Sequence, residues 1–357
     1  MKLKILHISK DIKGGIGTVL KALLDSFKKS ENVFIKNGYN NFFRLFKNEY
    51  YKYEVLHFHG AWTLHILPLI MKLNKPTLIS PHGAFHNVSL QKSKFKKVVA
   101  KYLYMKRCYQ NADCIHALTL QEAKDIRNFG IKNTPIAIIP NGIDIDEKLN
   151  LNEAFKTKLL KLANNRKIIL SLSRLHVAKG IELLIDSYKN ISNQDDSSVL
   201  FIVGVGDEEY TNILKNKIKS LNLENNIYLL GEMLDENKNT MYDIADLFVL
   251  PSYNEGFGLT VLEAYRQKVP VVTTTATPFA SIQNENIGWY VEPKENELTH
   301  ALYEALALDS KELKSYGEKG YKWVEENYTI DKVMQKYEKL YSWLIDKDTK
   351  LAFLYKD

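Results

Sequence analysis

At 357 residues the chain is long for one domain and points to about two, while 45% apolar and 25% charged content are the proportions of an ordinary folded protein. No run of about 18 apolar residues exists to span a bilayer, and the two cysteines, Cys108 and Cys114, are too few for a disulfide scaffold and badly spaced for zinc. The net charge of +7 is divided unevenly: residues 1–150 hold 24 Lys or Arg against 11 Asp or Glu, residues 151–357 hold 25 against 31, and nothing acidic lies between Glu54 and Asp113.

A half this basic meets something anionic, which leaves nucleic acid, a phosphate-bearing substrate or a membrane surface open. The opening "MKLKILHISKDIKGG" becomes charged too soon after its apolar run to be a signal peptide. A cytoplasmic protein is therefore expected.

In chain order, short β-branched runs predict strands at 3–9, 33–37, 55–60, 77–83, 114–119 and 136–142. After the first of these comes "DIKGGIGTVLKALLDSF", where Gly14, Gly15 and Gly17 precede an amphipathic helix. Glycines there let the backbone approach a ligand closely, beside the free N–H groups of a helix start; a tight turn into a helix explains them equally well. The pattern falls short of G-x-G-x-x-G, which argues against a nicotinamide site.

His57 and His59 share one face of the third strand, and His82 and His86 flank "GAF" after the fourth. A His-x-His pair can ligate zinc, but no carboxylate lies nearby in sequence, and no metal is expected. Buried, hydrogen-bonded histidines are the alternative for His57 and His116, whereas His82 stands at a strand end. Residues 91–109 carry seven Lys or Arg, with Lys92, Lys94, Lys96, Lys97 and Lys101 set against an apolar stripe at helical spacing. This is either a solvated helix back or a surface for lipid headgroups or a lipid-linked diphosphate. Nucleic acid is set aside, because no recognition-module pattern accompanies the charge.

The polar segment 143–166 reads as a linker, and the scheme then repeats, with strands at 167–174, 199–206, 227–233, 247–253, 269–275 and 288–293. Several runs are almost continuously apolar, as parallel strands covered on both faces must be. Helical stretches between them imply crossover connections. The reading is α/β, with two doubly wound domains at 1–160 and 161–329 facing a central cleft, and a last helix at about 330–357 packing back on the first. Ligands of such sheets sit beyond the carboxyl ends of the strands.

There "SLSRLHVAKG" places Arg174 and Lys179, a cation pair suited to a diphosphate, although an isolated pair is also ordinary surface. Further on, "LFVLPSYNEGFGLTVLEAYRQ" reads as strand, loop and helix. Glu255 in the loop can accept hydrogen bonds from sugar hydroxyls. The N–H groups of Gly256, Phe257, Gly258 and Leu259 can meet negative charge at the helix start. Glu263, about one turn in, can accept two bonds from a ribose diol.

Taken together, "KGGIGTVL", "SPHGAF", "IPNGID", "SRLHVAKG" and "NEGFGLTVLEA", in this order, resemble the retaining nucleotide-sugar-dependent glycosyltransferases of the GT-B fold, family 4. The resemblance implies hexosyl transfer from a UDP- or GDP-linked sugar with no metal or other cofactor. Glu255 and the amides from Phe257 to Leu259 would hold the sugar, and Glu263 the ribose. Arg174 and Lys179 would stabilise the departing diphosphate, approached also by Gly14 to Gly17, and His82 would lie near the reacting sugar.

The implied acceptor is a lipid-linked glycan of bacterial surface polysaccharide (O-antigen, capsule or exopolysaccharide) at the inner face of the cytoplasmic membrane, with the basic half as its surface. An epimerase of the same fold and a silent nucleotide- or glycan-binding partner subunit are the rival readings. Two departures from the family pattern stand out. Lys268 occupies the place of a glycine that closes the signature helix, and "TATPFASIQ" (275–283) replaces a Gly-Gly-x-x-Glu segment. Glu232 is an acid without an assigned role.

Overall fold

The computed structural model describes residues 3–9, 33–37, 50–62, 64–85, 100–192, 197–348 and 350–356. Gly14, Gly15, Gly17, His86, Lys92, Lys94, Lys96 and Lys97 lie outside them, as does the side chain of Lys101. The chain divides into two compact units, Met1–Asp144 with Tyr328–Asp357, and Ile145–Asn327.

The first unit is built on strands β1 (Ile5–Ser9), β2 (Val33–Asn37), β3 (Val55–His59), β4 (Thr77–Ser80), β5 (Cys114–Ala117) and β6 (Ile136–Ile138). All are parallel, in the order β2-β1-β3-β4-β5-β6. Alternation along each strand divides the side chains between two faces. Leu6, Ile8, Leu56, Phe58, Ile79 and Ile115 pack with Ile66, Leu69, Phe85, Tyr109 and Ile126. Helices α1 (Lys106–Asn111) and α2 (Leu120–Asn128) contribute Tyr109 and Ile126 to this layer.

The other face carries Ile5, Val55, Leu78, Cys114 and Ala137. The register puts His7 beside His57, so the buried histidines of β1, β3 and β5 share that second face.

The second unit holds helices α3 (Glu153–Ala163), α4 (Ile181–Ser192), α5 (Glu208–Ser220), α6 (Asp235–Asp243), α7 (Leu259–Arg266), α8 (Ser281–Asn284), α9 (Glu295–Ala307) and α10 (Ser310–Asn327). Its strands are β7 (Lys167–Leu172), β8 (Ser198–Val203), β9 (Ile227–Leu229), β10 (Leu247–Leu250), β11 (Val271–Thr274) and β12 (Gly288–Val291). They form a parallel sheet ordered β12-β11-β10-β7-β8-β9. The chain winds outward from β7 in one direction and then from β10 in the other, so the switch point lies between these two strands.

The division falls after Asp144 rather than at residue 160, and the polar stretch 143–166 is not a linker throughout, because α3 occupies 11 of its residues. Asn152 caps that helix by accepting from the Phe155 N–H at 3.0 Å. Its own N–H donates to Thr240 Oγ1 at 2.9 Å and its amide to Asn237 Oδ1 at 3.0 Å, fixing α3 to α6. The segment is polar because most of the helix surface faces water, with Leu159 and Ala163 turned inward.

After the second unit the chain returns to the first through α11 (Ile330–Ile345), where Val333, Tyr337, Leu340, Tyr341 and Leu344 cover the second face of the first sheet. Among the described residues no helix is long and apolar enough to cross a membrane.

Candidate functional site

At the switch point of the second sheet, the loops following β7 and β10 are joined main chain to main chain. The N–H groups of Tyr253 and Asn254 donate to the Ala178 carbonyl at 2.9 and 3.2 Å. Gly180 has a φ of +66°, and a Cβ there would stand 2.0 Å from the Pro251 carbonyl oxygen, so only glycine allows the loops this close. The closeness brings Lys179 to Glu255: Nζ lies 2.6 Å from Oε2, both side chains are largely buried, and Ser252 Oγ donates to the same oxygen at 3.1 Å. Arg174 is exposed, and its guanidinium makes no hydrogen bond or ion pair with the described residues. It follows β7, where Ser173 and Leu175 still bond to the Val203 and Val205 carbonyls.

Gly258 is the N-cap of α7, left-handed at φ 87°, and a Cβ on it would meet Glu255 Cγ and Leu250 at 3.3 Å. Phe257 is buried edge-on against Phe279 with ring centroids 5.2 Å apart. What it offers a ligand is therefore its main chain. Phe279 belongs to the substituted segment 275–283, so this stretch supplies the packing that holds the glycine loop.

Glu263 is nearly buried, and sequence reasoning missed its two partners. Lys238 Nζ lies 2.6 Å from Oε1, and the Tyr242 hydroxyl donates to Oε2 at 2.8 Å. Burial and then the Glu263 charge hold the Tyr242 pKa well above its ordinary value, which keeps this phenol a donor. Lys238 and Tyr242 are four apart on α6 and so share a face; that spacing in "DENKNTMYD" was the available clue. Each Glu263 oxygen still has a second lone pair for a hydroxyl.

Four exposed apolar side chains, Val177, Val205, Leu234 and Tyr253, follow the adjacent strands β7, β8, β9 and β10. Glu232 is exposed in the loop after β9.

In the first unit the histidines form a network whose direction can be worked out. His116 Nε2 lies 2.7 Å from the Ile139 carbonyl and must donate to it. A neutral His116 then accepts at Nδ1 from the Ser80 hydroxyl, 2.8 Å away. Ser80 in turn accepts from His57 Nε2 at 2.7 Å, and His57 Nδ1 accepts from Tyr341 at 2.8 Å. Desolvation lowers the His116 pKa to about 4 and holds the His57 pKa well below its usual value, with the neighbouring His7 and His116 adding to it. Both rings are thus neutral, and the C-terminal tyrosine orients the set.

A second chain runs from His7 Nδ1 to His59 Nε2 at 2.8 Å, and from His59 Nδ1 to His82 Nε2 at 3.0 Å. His7, His57 and His59 each bring a nitrogen within 4.8 Å of the others, a spacing that could hold a metal ion; both nitrogens of His57, however, are already engaged.

Two parallel α/β sheets of this kind, with polar residues gathered beyond the central strands of the second, are the architecture of the GT-B fold. The family model "Glycosyl transferases group 1" matches residues 153–323, and "Glycosyltransferase Family 4" matches residues 17–147; the chain belongs to the family 4 glycosyltransferases. It is 33% identical over 174 residues to mannosylfructose-phosphate synthase of Agrobacterium fabrum, over 46% of this chain and 38% of that protein.

It is 30% identical over 264 residues to an Escherichia coli protein named UDP-Gal:alpha-D-GlcNAc-diphosphoundecaprenol alpha-1,3-galactosyltransferase, over 70% of this chain and 65% of that one. The chain thus spans less than two thirds of either relative. HepE from Anabaena, solved in complex with UDP and glucose, has a TM-score of 0.77 at 17% identity, covering 95% of this chain and 99% of its own, a likeness of fold.

Proposed function

We propose that the protein transfers a hexosyl group from a nucleoside diphosphate sugar to a glycan acceptor with retention of anomeric configuration. The observation that carries this reading is the Lys179–Glu255 pair at the switch point, with the uncommitted guanidinium of Arg174 on the same sheet edge. On donor binding Lys179 turns from Glu255 to the diphosphate, and Glu255 accepts from the sugar hydroxyls. The bond from the anomeric carbon to the β-phosphate oxygen breaks with its electrons moving to that oxygen, where Arg174 and Lys179 stabilise the charge. The acceptor hydroxyl adds to the same face and gives its proton to the departing phosphate. Amides from Gly256 to Leu259 bind sugar and phosphate oxygens, Glu263 binds the ribose, and His82 lies against the reacting sugar. No resident metal takes part.

The donor's base is assigned to uracil, supported by the UDP in HepE and in the name of the Escherichia coli relative. The acceptor is a lipid-diphosphate-linked glycan of a bacterial surface polysaccharide, supported by the acceptor in that relative's name and by the basic N-terminal half. Reversing the charge of Lys96, Lys97 and Lys101 should weaken binding to anionic liposomes; undiminished binding removes the membrane surface.

The test of the reading as a whole is thermal unfolding with UDP, GDP, ADP and CMP in the presence of a chelator. A ligand that binds only the folded chain stabilises it by about 2.7 kcal/mol at a hundredfold excess over its Kd. A shift with UDP alone supports the assignment, and a shift with GDP instead moves the donor to guanosine. Absence of any shift makes a silent partner subunit the better description.

A further inference from the structure

We propose that Glu122 is a positioning residue for transfer: its carboxylate ties down the main chain beside His82 and, together with the His59 imidazole, fixes where the His82 ring points. The proposal rests on the role given to His82 above.

Glu122 is fully buried in a strongly basic half of the chain, yet its carboxylate accepts from two main-chain amides rather than a cation. Gly83 N–H donates to Oε1 at 2.5 Å and Leu118 N–H to Oε2 at 2.7 Å. Thr119 caps α2 by accepting from the Glu122 N–H at 3.0 Å, and Thr-x-x-Glu is the spacing of a capping box. In such a box the glutamate returns to the amide of the cap residue. Here it reaches one residue further back and across to the loop after β4. One carboxylate thereby joins the loops that follow β4 and β5.

The joined loop needs holding. His82 and Gly83 are consecutive left-handed residues, at φ 53° and 77°, and a histidine in that region costs about 1–2 kcal/mol. Trp62 Nε1 donates to the Ala84 carbonyl at 3.2 Å, one residue beyond the Glu122 contact. The ring is held from behind: His82 and His59 stack with centroids 5.3 Å apart and planes 17° from parallel, joined by their hydrogen bond. His59 is itself anchored by His7. With Nε2 committed to His59, Nδ1 is the nitrogen left to face a sugar.

The carboxylate is specifically suited to this task. A glutamine presents one oxygen and one NH2, so Glu122→Gln must leave either Gly83 or Leu118 facing a donor. At about pH 8, where the native carboxylate is ionised, Glu122→Gln should lower kcat about 10–100-fold, the loss that follows from a catalytic group misplaced by about 1 Å. The Kd for UDP should stay within about twofold, because the nucleotide is assigned to the second unit.

In a His82→Ala background the same change should cost less than about twofold, since the group it positions is gone. Equal losses in both backgrounds, or an unchanged kcat in the native one, overturn the proposal. Were the native protein to show no transfer at all, the functional reading would fall, but amide exchange still decides the positioning. The Gly83 amide of the native chain should be protected like a strand amide, and Glu122→Gln should speed its exchange at least about 100-fold. A Gly83 amide that exchanges as freely as an open loop in the native chain sinks the inference even if the variant does not fold.

Discussion

Lys179 and Glu255 are held 2.6 Å apart by loops that meet through their main chains, so the cation assigned to the leaving group and the acid assigned to the sugar neutralise each other before either ligand arrives. On the proposed reading, a donor inherits a pair already in register: its diphosphate would replace the carboxylate on Lys179, and its hydroxyls would replace the ammonium on Glu255.

Lys179→Ala should therefore damage two properties at once. Loss of the positive charge should lower kcat/KM about 10²–10³-fold, and a nearly buried carboxylate left with only Ser252 should reduce stability by about 1–3 kcal/mol. Initial rates and urea unfolding measure the two. If Glu255→Gln added to Lys179→Ala costs its full separate amount of stability, the two side chains are not coupled.

Glu263 is assigned to the ribose, and the sugar itself can test this. With the native chain, 2′-deoxy-UDP should bind about tenfold more weakly than UDP; with Glu263→Ala the difference should vanish, as read by calorimetry. A preference that survives the substitution assigns the diol to another group. Tyr242→Phe removes the donor that orients Glu263, and should cost about 1 kcal/mol of stability with part of the same discrimination.

The lysine in the place of a helix-closing glycine adopts the glycine conformation. Lys268 has a φ of 59°, its N–H donates to the Tyr265 carbonyl at 2.9 Å, and Val269 N–H donates to Ala264 at 3.0 Å. Lys268→Gly should relieve about 1 kcal/mol of backbone strain, partly offset by the freer unfolded chain. A net gain of about 0.5 kcal/mol, or 1–2 °C in Tm, is expected. A loss would mean that the lysine contact over the Tyr321 ring, 5.6 Å to its centroid, matters more than the backbone.

Acid should destabilise the first unit. Burial lowers the pKa of His7 to about 3 and of His116 to about 4, and holds His57 and His59 well below the usual value. In the unfolded chain each titrates near 6.5, so below that pH the unfolded state takes up protons that the folded state refuses. Stability is thus complete above about pH 7 and falls as the pH drops, by up to about 1.4 kcal/mol per pH unit for each histidine. Glu122 acts in the opposite direction: burial raises its pKa from 4.5 to about 7, so its proton favours the folded state as the pH falls through that range. Four histidines outweigh one acid. Urea unfolding at pH 7.5, 6 and 5 should show the decline, and a flat profile contradicts the neutral network.

All twelve strands were legible in the sequence, because a strand covered on both faces has to be apolar along its length. Most of the strands stop short of their apolar runs: "TLISPHG" stops being strand at Ser80, ahead of His82 and Gly83, which turn left-handed. The helix at Glu153–Ala163 was hidden in a polar segment, since only one stripe of it is buried. Glu255 and Lys179 could be found separately from their positions after strand ends, but not as a pair, which only the strand order β10-β7 creates. The partnership of Glu122 with Gly83 and the chain from His7 to His82 were out of reach for the same reason: pairing β4 with β5 creates the first, and pairing β3 with both β1 and β4 creates the second, across long stretches of sequence.

The return of α11 to the first sheet has a consequence during synthesis. Ile5, Val55, Leu78 and Ala137 are covered by Val333, Tyr337 and Leu340, so a ribosome must complete all of Ile145–Asn327 before that face can be closed. At about 5–20 residues per second, an apolar sheet face with buried histidines still lacking Tyr341 waits roughly 10–40 s for its cover. The second unit, encoded without interruption, is therefore the one that can finish folding first.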